Sequence, residues 1–223
     1  MKLHLRSVAE HLVEVYSPNH RGMQLHPWVM EFSNWLKTHT FPGLIEVVPC
    51  IDTVAIHFDF LTVKKNAQEQ SCLSFIEQHI AGFKTDLSIA NNVKKLIEIP
   101  VDYSGEDLEA VAKACGISVK EVIEIHSKPI YEVMMMGFLP GFPYLAGLDK
   151  RIYMPRKSKP AVQVKAGSIA IGGQQTGIYP LDSPGGWHVI GRTDAVLFDV
   201  HQIQKGETFT LLEAGNLLRF IPM

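Results

Sequence analysis

The chain has 223 residues, of which 46% are hydrophobic and 20% are charged, and its formal net charge is −2. This composition is typical of a soluble globular protein with one large domain or two small ones. The nearly balanced charge argues against nucleic acid or an anionic membrane as a partner, because both attract basic surfaces. Residues 1–6 lack the apolar core of a signal peptide, and no apolar run approaches the roughly 20 residues that span a bilayer. We therefore expect a cytoplasmic protein that has no membrane partner.

The first 90 residues alternate between predicted strands and predicted helices. Apolar residues recur with the period of a strand or of a helix in successive segments. In chain order these are a strand (12–16), a helix (24–39), two strands (44–48 and 53–58), a helix (67–80) and a strand near residues 95–99. The βαββαβ order predicts a ferredoxin-like sandwich, in which helices cover one face of an antiparallel sheet. We assign residues 1–90 to this first domain.

The second domain is predicted over residues 96–223, after a polar linker around residues 84–92. Two short helices come first, over residues 107–115 and 119–127. Gly116 ends the first helix, and Ser118 with Glu121 forms a capping box that opens the second. Short strands separated by Gly/Pro turns follow, at 131–136, 161–165, 168–171, 188–190, 195–200, 208–212 and 217–221. This pattern predicts a β-barrel or sandwich, so the fold class of the whole chain is α+β.

Glycine and proline are concentrated between residues 137 and 191, which hold 10 of the 17 glycines and 6 of the 13 prolines. They fall in three clusters, GFLPGFPYL (137–145), AIGGQQTGIYP (170–180) and SPGGWHVIGRT (183–193). Glycine is tolerated at this density where the backbone needs positive φ or must approach another group closely. Asp182 is the only formal charge between residues 166 and 191. The clusters therefore predict a preformed, largely neutral pocket or a docking face.

Polar side chains in these clusters form the first candidate set, which we predict to bind substrate. Its amide and hydroxyl members both donate and accept hydrogen bonds, as a lactam or a urea-like substrate also does. The arginine of the set, Arg192, could hold a carboxylate or an acyl phosphate by two parallel hydrogen bonds. The alternative roles are satisfaction of loop backbone groups and a structural salt bridge. The set consists of Gln174, Gln175, Thr176, Tyr179 and Arg192.

The second candidate set is apolar and rigid, and it could form either a pocket wall or a protein–protein interface. Core packing is the alternative for its aromatic members. Since neighbouring strand residues face opposite ways, we expect Trp187 to line the site and His188 to lie at the surface or the barrel edge. The set consists of Phe138, Pro140, Phe142, Tyr144, Pro184, Gly185, Gly186 and Trp187.

Several kinds of site are not indicated. The sequence contains neither a GxxxxGK[ST] loop nor a GxGxxG that follows a strand and opens a helix, so no phosphate cradle is predicted. Ser168 lacks the second glycine of a GxSxG elbow, so the catalytic residues stay unknown. Cys50, Cys72 and Cys115 are far apart, and the ten histidines form no metal-binding pair. We expect reduced cysteines and no bound metal.

The three clusters, with Pro155-Arg156 between the first and second, resemble the signature of a known family. It is the B-subunit family of the 5-oxoprolinases, also described as the allophanate hydrolase subunit 1 family, which includes the sensor-kinase inhibitor KipI. The resemblance implies a cyclophilin-like β-barrel for the second domain. It also implies a role in an ATP-dependent 5-oxoprolinase, which opens 5-oxo-L-proline to L-glutamate. In that interpretation the C subunit of the enzyme is the main partner and the A subunit takes part too, while ATP with Mg²⁺ belongs to the assembled complex rather than to this chain alone.

Two alternatives stay open within the family. One is a KipI-like inhibitor that docks on a sensor histidine kinase, and the other is a subunit of a urea-carboxylase or allophanate-type carboxyltransferase. The sequence also departs from the family pattern, since Ala161 and Lys165 stand where the family commonly has arginine and proline. These departures concern a loop beside the clusters, whereas the clusters themselves are intact.

Overall fold

The computed structural model describes residues 3–84, 94–205 and 209–223, without the side chain of Gln204. Its contacts divide the chain into two compact units, Met1–Val93 and Lys94–Met223. Most of the predicted linker at 84–92 lies outside the described residues. Within the described ranges, none of the helices combines the length and the apolarity that a membrane span requires.

The first unit is a four-stranded antiparallel sheet with helices against one face. Its strands are β1 (His4–Ala9), β2 (Leu12–Tyr16), β3 (Leu44–Pro49) and β4 (Thr53–Phe58), in the order β1-β2-β4-β3. Its helices are α1 (His26–Thr38), α2 (Phe60–Ala67) and α3 (Cys72–Ile80). Asp59 and Ser71 begin α2 and α3 as N-caps, because each side chain accepts a hydrogen bond from a first-turn backbone N–H. Alternation buries Val54, Ile56 and Phe58 on the face that the helices cover.

The predicted βαββαβ order is wrong at both ends. The strand expected near residues 95–99 is β5 (Leu96–Val101), and it belongs to the second unit, where it pairs in parallel with the last strand of the chain. Strand β1 takes the outer place of the first sheet instead, in a hairpin with β2. Three of the six β1 residues are exposed and none is buried, so the strand lacks the apolar alternation by which a sequence reveals a strand.

The second unit contains a seven-stranded sheet that nearly closes into a barrel. Its order is β12-β9-β10-β7-β6-β13-β5. The strands after β5 are β6 (Tyr131–Met136), β7 (Pro143–Ala146), β9 (Ser168–Gly172), β10 (Gln175–Ile178), β12 (His188–Arg192) and β13 (Leu217–Pro222), while β8 (Ala161–Val164) and β11 (Ser183–Gly185) form a separate pair. The two edges meet where the Asp102 N–H donates to Arg192 O at 2.9 Å and the Arg192 N–H donates to Asp102 O at 2.8 Å.

Two helices, α4 (Leu108–Cys115) and α5 (Val119–Ser127), pack beside this sheet. Gly116 ends α4 in the left-handed region at φ 69°, and Ser118 with Glu121 forms the capping box of α5, so both predicted helix boundaries are confirmed. The strands predicted at 195–200 and 208–212 are wrong. A single bridge between Phe198 and Thr210 flanks a short helix, α6 (Val200–Lys205), and residues 206–208 lie outside the described residues.

Candidate functional site

A concave site lies on the second unit, where the three Gly/Pro clusters meet. It is a cavity of about 330 Å³, at the small end of the range for ligand sites. We call it the aromatic pocket. The residues that line it are Phe138, Phe142, Tyr144, Arg156, Lys157, Pro160, Tyr179, Pro184, Gly185, Gly186 and Trp187.

Aromatic rings form the wall of the pocket around Phe142. The Phe142 ring centroid lies 5.0 Å from that of Tyr144, 5.2 Å from that of Tyr179 and 5.5 Å from that of Trp187. All three contacts are edge-to-face, which aromatic rings prefer over a direct sandwich. Phe142 is 2% exposed and Trp187 is 5% exposed. Packing against the neighbouring rings therefore covers most of both side chains, and both rings also line the pocket, which is one of the two roles expected for them.

The glycines of the clusters make room for these rings. A Cβ atom on Gly172 would lie 2.5 Å from the Trp187 ring, and one on Gly185 would lie 2.3 Å from the Tyr179 hydroxyl oxygen. Real Cβ atoms do not approach other atoms so closely. The sequence correctly indicated a close approach at the Gly172 and Gly185 positions, but the approaching group is an aromatic ring of the protein itself.

Phe138 stands at the mouth of the pocket. Its side chain is 59% exposed, and its ring centroid lies 5.5 Å from that of Phe142 and 6.2 Å from that of Tyr179. Its φ is 68°, in the left-handed region that a bulky residue seldom adopts. Residues held in such conformations cluster at functional sites. Phe138, Pro140 and Pro184 are the members of the second candidate set that offer an exposed apolar surface.

The two cations of the pocket differ in their partners. Lys157 Nζ lies 2.6 Å from Asp107 Oδ2, and that carboxylate also accepts a hydrogen bond of 2.7 Å from the Val189 N–H. Arg156 Cζ lies 6.0 Å from the centroid of the Trp187 ring, in a cation–π contact. Among the described residues, no carboxylate lies within ion-pair distance of Arg156. Within that part of the chain, Arg156 therefore keeps a positive charge that no carboxylate neutralises.

Two phenol groups give the pocket hydrogen-bonding capacity. Burial raises the pKa of Tyr179, against the opposing effect of a hydrogen bond from the Trp187 backbone. Burial likewise raises the pKa of Tyr144, against the opposing charge of Arg156. Both hydroxyls are consequently neutral at physiological pH. A neutral phenol can donate a hydrogen bond to a carbonyl or carboxylate oxygen of a ligand.

The predicted substrate-binding set is only partly brought together. Tyr179 lines the aromatic pocket, whereas Gln174 is exposed in the turn between β9 and β10 and Gln175 is half-buried at the start of β10. Arg192 closes the barrel through its backbone and its side chain is exposed. Thr176 is completely buried. The structure therefore does not bring the five residues together, because four of them lie outside the pocket lining.

Thr176 belongs instead to a buried hydrogen-bond chain. Its hydroxyl donates to Ala170 O at 3.0 Å, so it accepts from His126 Nε2, also at 3.0 Å. The neutral imidazole then accepts at Nδ1 from the Tyr103 hydroxyl, at 2.7 Å. His126 is fully buried, and this burial lowers its pKa to about 3. These hydrogen bonds connect helix α5 to strands β9 and β10.

One positional prediction is confirmed, and three residues of the pocket lining, Arg156, Lys157 and Pro160, were not predicted. Trp187 lines the pocket, while half-exposed His188 places its Nε2 2.9 Å from Pro155 O, away from the cavity. Arg156 was not among the predicted site residues, although the Pro155-Arg156 pair belongs to the family signature. That pair was the available signal. Arg156 stands outside the three Gly/Pro clusters, and only the fold places it over Trp187.

The chain is similar in sequence to known proteins of one family. The model of the family described as "Carboxyltransferase domain, subdomain C and D" matches residues 3–208. The B subunit of 5-oxoprolinase from Bacillus subtilis is 39% identical over 196 residues, covering 84% of this chain and 79% of that protein. Its counterpart from Haemophilus influenzae is 41% identical over 181 residues, covering 80% and 79%. The chain belongs to this family. The resemblance found in the sequence is confirmed.

Solved structures agree with that assignment. The crystal structure of TTHA0988 matches with a TM-score of 0.79 and 31% identity, and the match covers 95% of this chain but only 40% of that one. The conserved uncharacterized protein PH0987 from Pyrococcus horikoshii is 33% identical, with a TM-score of 0.55 and coverage of 99% and 97%. The K. lactis urea amidolyase has a TM-score of 0.75 at 18% identity over 15% of its length, a likeness of fold alone.

Proposed function

We propose that this chain is the B subunit of an ATP-dependent 5-oxoprolinase, which converts 5-oxo-L-proline to L-glutamate together with the enzyme's C and A subunits. The observation that supports it is the identity of 39–41% to three proteins named as the B subunit of 5-oxoprolinase, over 80–84% of this chain. The word "subunit" in those names fits an enzyme whose site is shared between chains. A cytoplasmic location and a cyclophilin-like barrel are part of the same proposal.

The lining of the aromatic pocket does not fit a nucleoside triphosphate. The aromatic pocket is small, is lined mostly by apolar rings, and offers one cation that is not already paired with a carboxylate. A phosphate cradle uses several backbone N–H groups of a glycine-rich loop at a helix N-terminus. The close approaches of Gly172 and Gly185 are occupied by aromatic rings instead. We therefore assign ATP and Mg²⁺ to the assembled complex and derive no phosphoryl step on this chain.

The role of this chain in that complex is to bind and orient a small cyclic substrate. The rings of Phe142, Tyr179 and Trp187 can pack against the apolar part of a five-membered lactam. The neutral Tyr144 and Tyr179 hydroxyls can donate to its oxygen atoms. Positioning the substrate and excluding bulk water in this way lowers the activation free energy of the reaction. The ATP that drives the reaction belongs to the assembled complex.

We expect the purified chain alone to release no glutamate from 5-oxo-L-proline with ATP and Mg²⁺. Activity should appear when the partner proteins are added, and it should saturate with respect to this chain at a fixed stoichiometry. A coupled assay of glutamate and phosphate release measures the activity of each mixture and its dependence on the concentration of this chain. Release by the isolated chain at the rate of the full mixture would contradict a shared site. Absence of activity in every mixture would contradict the proposed reaction.

The runner-up is a subunit of a carboxyltransferase that acts on urea or a related amide. The description of the matching family and the fold of the urea amidolyase favour it. That activity would need biotin from another protein. Carboxyl transfer from a carboxylated biotin carrier to urea by the assembled complex, without 5-oxoproline cleavage, would select this alternative.

A further inference from the structure

We propose that the aromatic pocket is a binding site for a small cyclic carboxylate, and that Arg156 is the residue that distinguishes the acid from its uncharged analogue. The observation is an arginine without a carboxylate partner among the described residues, beside a wall of five aromatic rings, Phe138, Phe142, Tyr144, Tyr179 and Trp187. The identity of the natural acid rests on the proposed function, in which it is 5-oxo-L-proline. Binding of a carboxylate in the pocket does not depend on that reaction.

The charge balance of the pocket favours an anion. None of the described lining residues is acidic, and two are cationic. Lys157 is neutralised by Asp107 at 2.6 Å and has Glu106 at 3.9 Å as a second acidic neighbour. Both carboxylates lie against Lys157, so Arg156 is the lining cation that has no carboxylate within ion-pair distance among the described residues. A guanidinium group presents a planar fork that matches a carboxylate by two parallel hydrogen bonds.

The Trp187 contact holds this cation at the pocket. The guanidinium group lies over the face of the Trp187 ring, with Cζ 6.0 Å from the centroid, and a contact with the ring face leaves guanidinium N–H groups available to a ligand. The Lys157–Asp107 pair fixes the next residue of the chain, and the Lys157 N–H also donates to Gly186 O at 2.7 Å. Both sequence neighbours of Arg156, Pro155 and Lys157, are thus hydrogen-bonded to β12 or the segment before it. Arg156 is consequently presented on an anchored backbone.

The shape of the pocket limits the acid to a small one. A cavity of about 330 Å³ with aromatic walls suits a compact ring, since flat apolar faces pack closely against flat rings. The Tyr144 and Tyr179 hydroxyls supply neutral donors for a second oxygen function. A ring that bears a carboxylate and a carbonyl satisfies the cation, the rings and the phenols together.

The test is a calorimetric binding titration of the full chain with three compounds. These are 5-oxo-L-proline, 2-pyrrolidinone and cyclopentanecarboxylate. We expect the two acids to bind at least about tenfold more tightly than 2-pyrrolidinone, which has the lactam but no carboxylate. The Arg156→Gln variant should lose that preference, and Arg156→Lys should recover only part of it. The control is Lys159→Gln, which removes an exposed positive charge near the pocket without touching its lining, and which should keep the wild-type preference.

Equal binding of 5-oxo-L-proline and 2-pyrrolidinone would overturn the proposal, as would an unchanged preference in Arg156→Gln. A parallel loss in Lys159→Gln would also overturn it, because the effect would then be long-range attraction rather than a direct contact. The outcomes separate the pocket from the reaction. If Arg156→Gln keeps the preference for the acids while the complex cleaves 5-oxoproline, the pocket assignment fails and the proposed function stands. If the acids bind with the expected preference but no mixture cleaves 5-oxoproline, the function fails and the pocket stands.

Discussion

The Gly185→Ala variant is expected to be destabilised by about 1–3 kcal/mol and to bind 5-oxo-L-proline at least about tenfold more weakly, whereas Gly186→Ala is expected to keep the wild-type stability. A Cβ on Gly185 would lie 2.3 Å from the Tyr179 hydroxyl oxygen and 2.8 Å from Cζ of the same ring. The ring must move, and the hydrogen bond from the Trp187 backbone to its hydroxyl is then lost. Thermal unfolding and the titration described above measure the two effects.

Gly186→Ala is a matched control on the adjacent residue. Its Cβ would lie 3.8 Å from Lys157 O and from Pro160 Cγ, which is ordinary van der Waals contact. Neither glycine has a positive φ, so backbone strain does not distinguish the two variants. In a Tyr179→Phe background, the Gly185→Ala variant should cost less, because the atom in closest contact is gone. Equal stability and binding of Gly185→Ala and wild type would show that Tyr179 is not held against Gly185.

The sequence correctly predicted the structural features that depend on residues close together in the chain. The Ser118–Glu121 capping box and the Gly116 helix end were predicted from spacing and are confirmed, since each involves atoms within a few residues. Alternation located β4 to the residue, because one of its faces is buried against helices. Strand β1 was not predicted, because none of its side chains is fully buried and its sequence lacks a regular apolar alternation.

Assignment of strands to sheets required information that a local pattern does not carry. Strand β5 was recognised as a strand but placed in the wrong unit, since its partner β13 lies more than a hundred residues later in the chain. Similarly, β7 and β10 are short and contain proline or glycine, residues that usually end strands. Their positions follow from the ladder that they complete, between β6 and β9.

The candidate site shows the same division. The clusters correctly indicated close approaches at Gly172 and Gly185. The orientation of individual side chains was not predictable, because Thr176 and Tyr179 are three residues apart in sequence and face different surroundings. The partner of Thr176 is His126, fifty positions earlier. Arg156 meets Trp187 only through the fold, so its unpaired charge became evident in three dimensions.

The stability of the second unit is expected to fall by about 2 kcal/mol between pH 7 and pH 5 on account of His126 alone. Burial lowers the pKa of His126 from its ordinary 6.5 to about 3 in the folded chain. Between these two values the unfolded state binds a proton that the folded state does not. The contribution of neutral His126 to the free energy of unfolding is therefore fully present above pH 6.5 and decreases as the pH falls toward 3. Each pH unit in that window costs about 1.4 kcal/mol.

The geometry around His126 explains why the folded state cannot accept the proton. The hydroxyl of Thr176 already donates to Ala170 O, so it can accept from Nε2–H and the imidazole Nδ1 must accept from Tyr103. A second imidazole proton, at Nδ1, would face the Tyr103 hydroxyl proton, and that hydroxyl would have to turn. The surrounding rings of Tyr131 and Phe220 offer no charge to balance an imidazolium.

The decisive comparison is the pH dependence of urea unfolding in wild type, His126→Gln and His201→Gln. Glutamine can donate to Thr176 and accept from Tyr103 but does not titrate, so His126→Gln should be less stable at pH 7 and should lose less stability on acidification. The difference in the free energy of unfolding between His126→Gln and wild type should be about 2 kcal/mol smaller at pH 5 than at pH 7. His201 is exposed in α6, and its replacement should leave the wild-type slope unchanged. The remaining histidines are common to wild type and His126→Gln, so they cancel in the difference. Parallel curves for these two proteins would mean that His126 accepts a proton in the folded state, and the hydrogen-bond chain from Tyr103 to Ala170 would then have to rearrange.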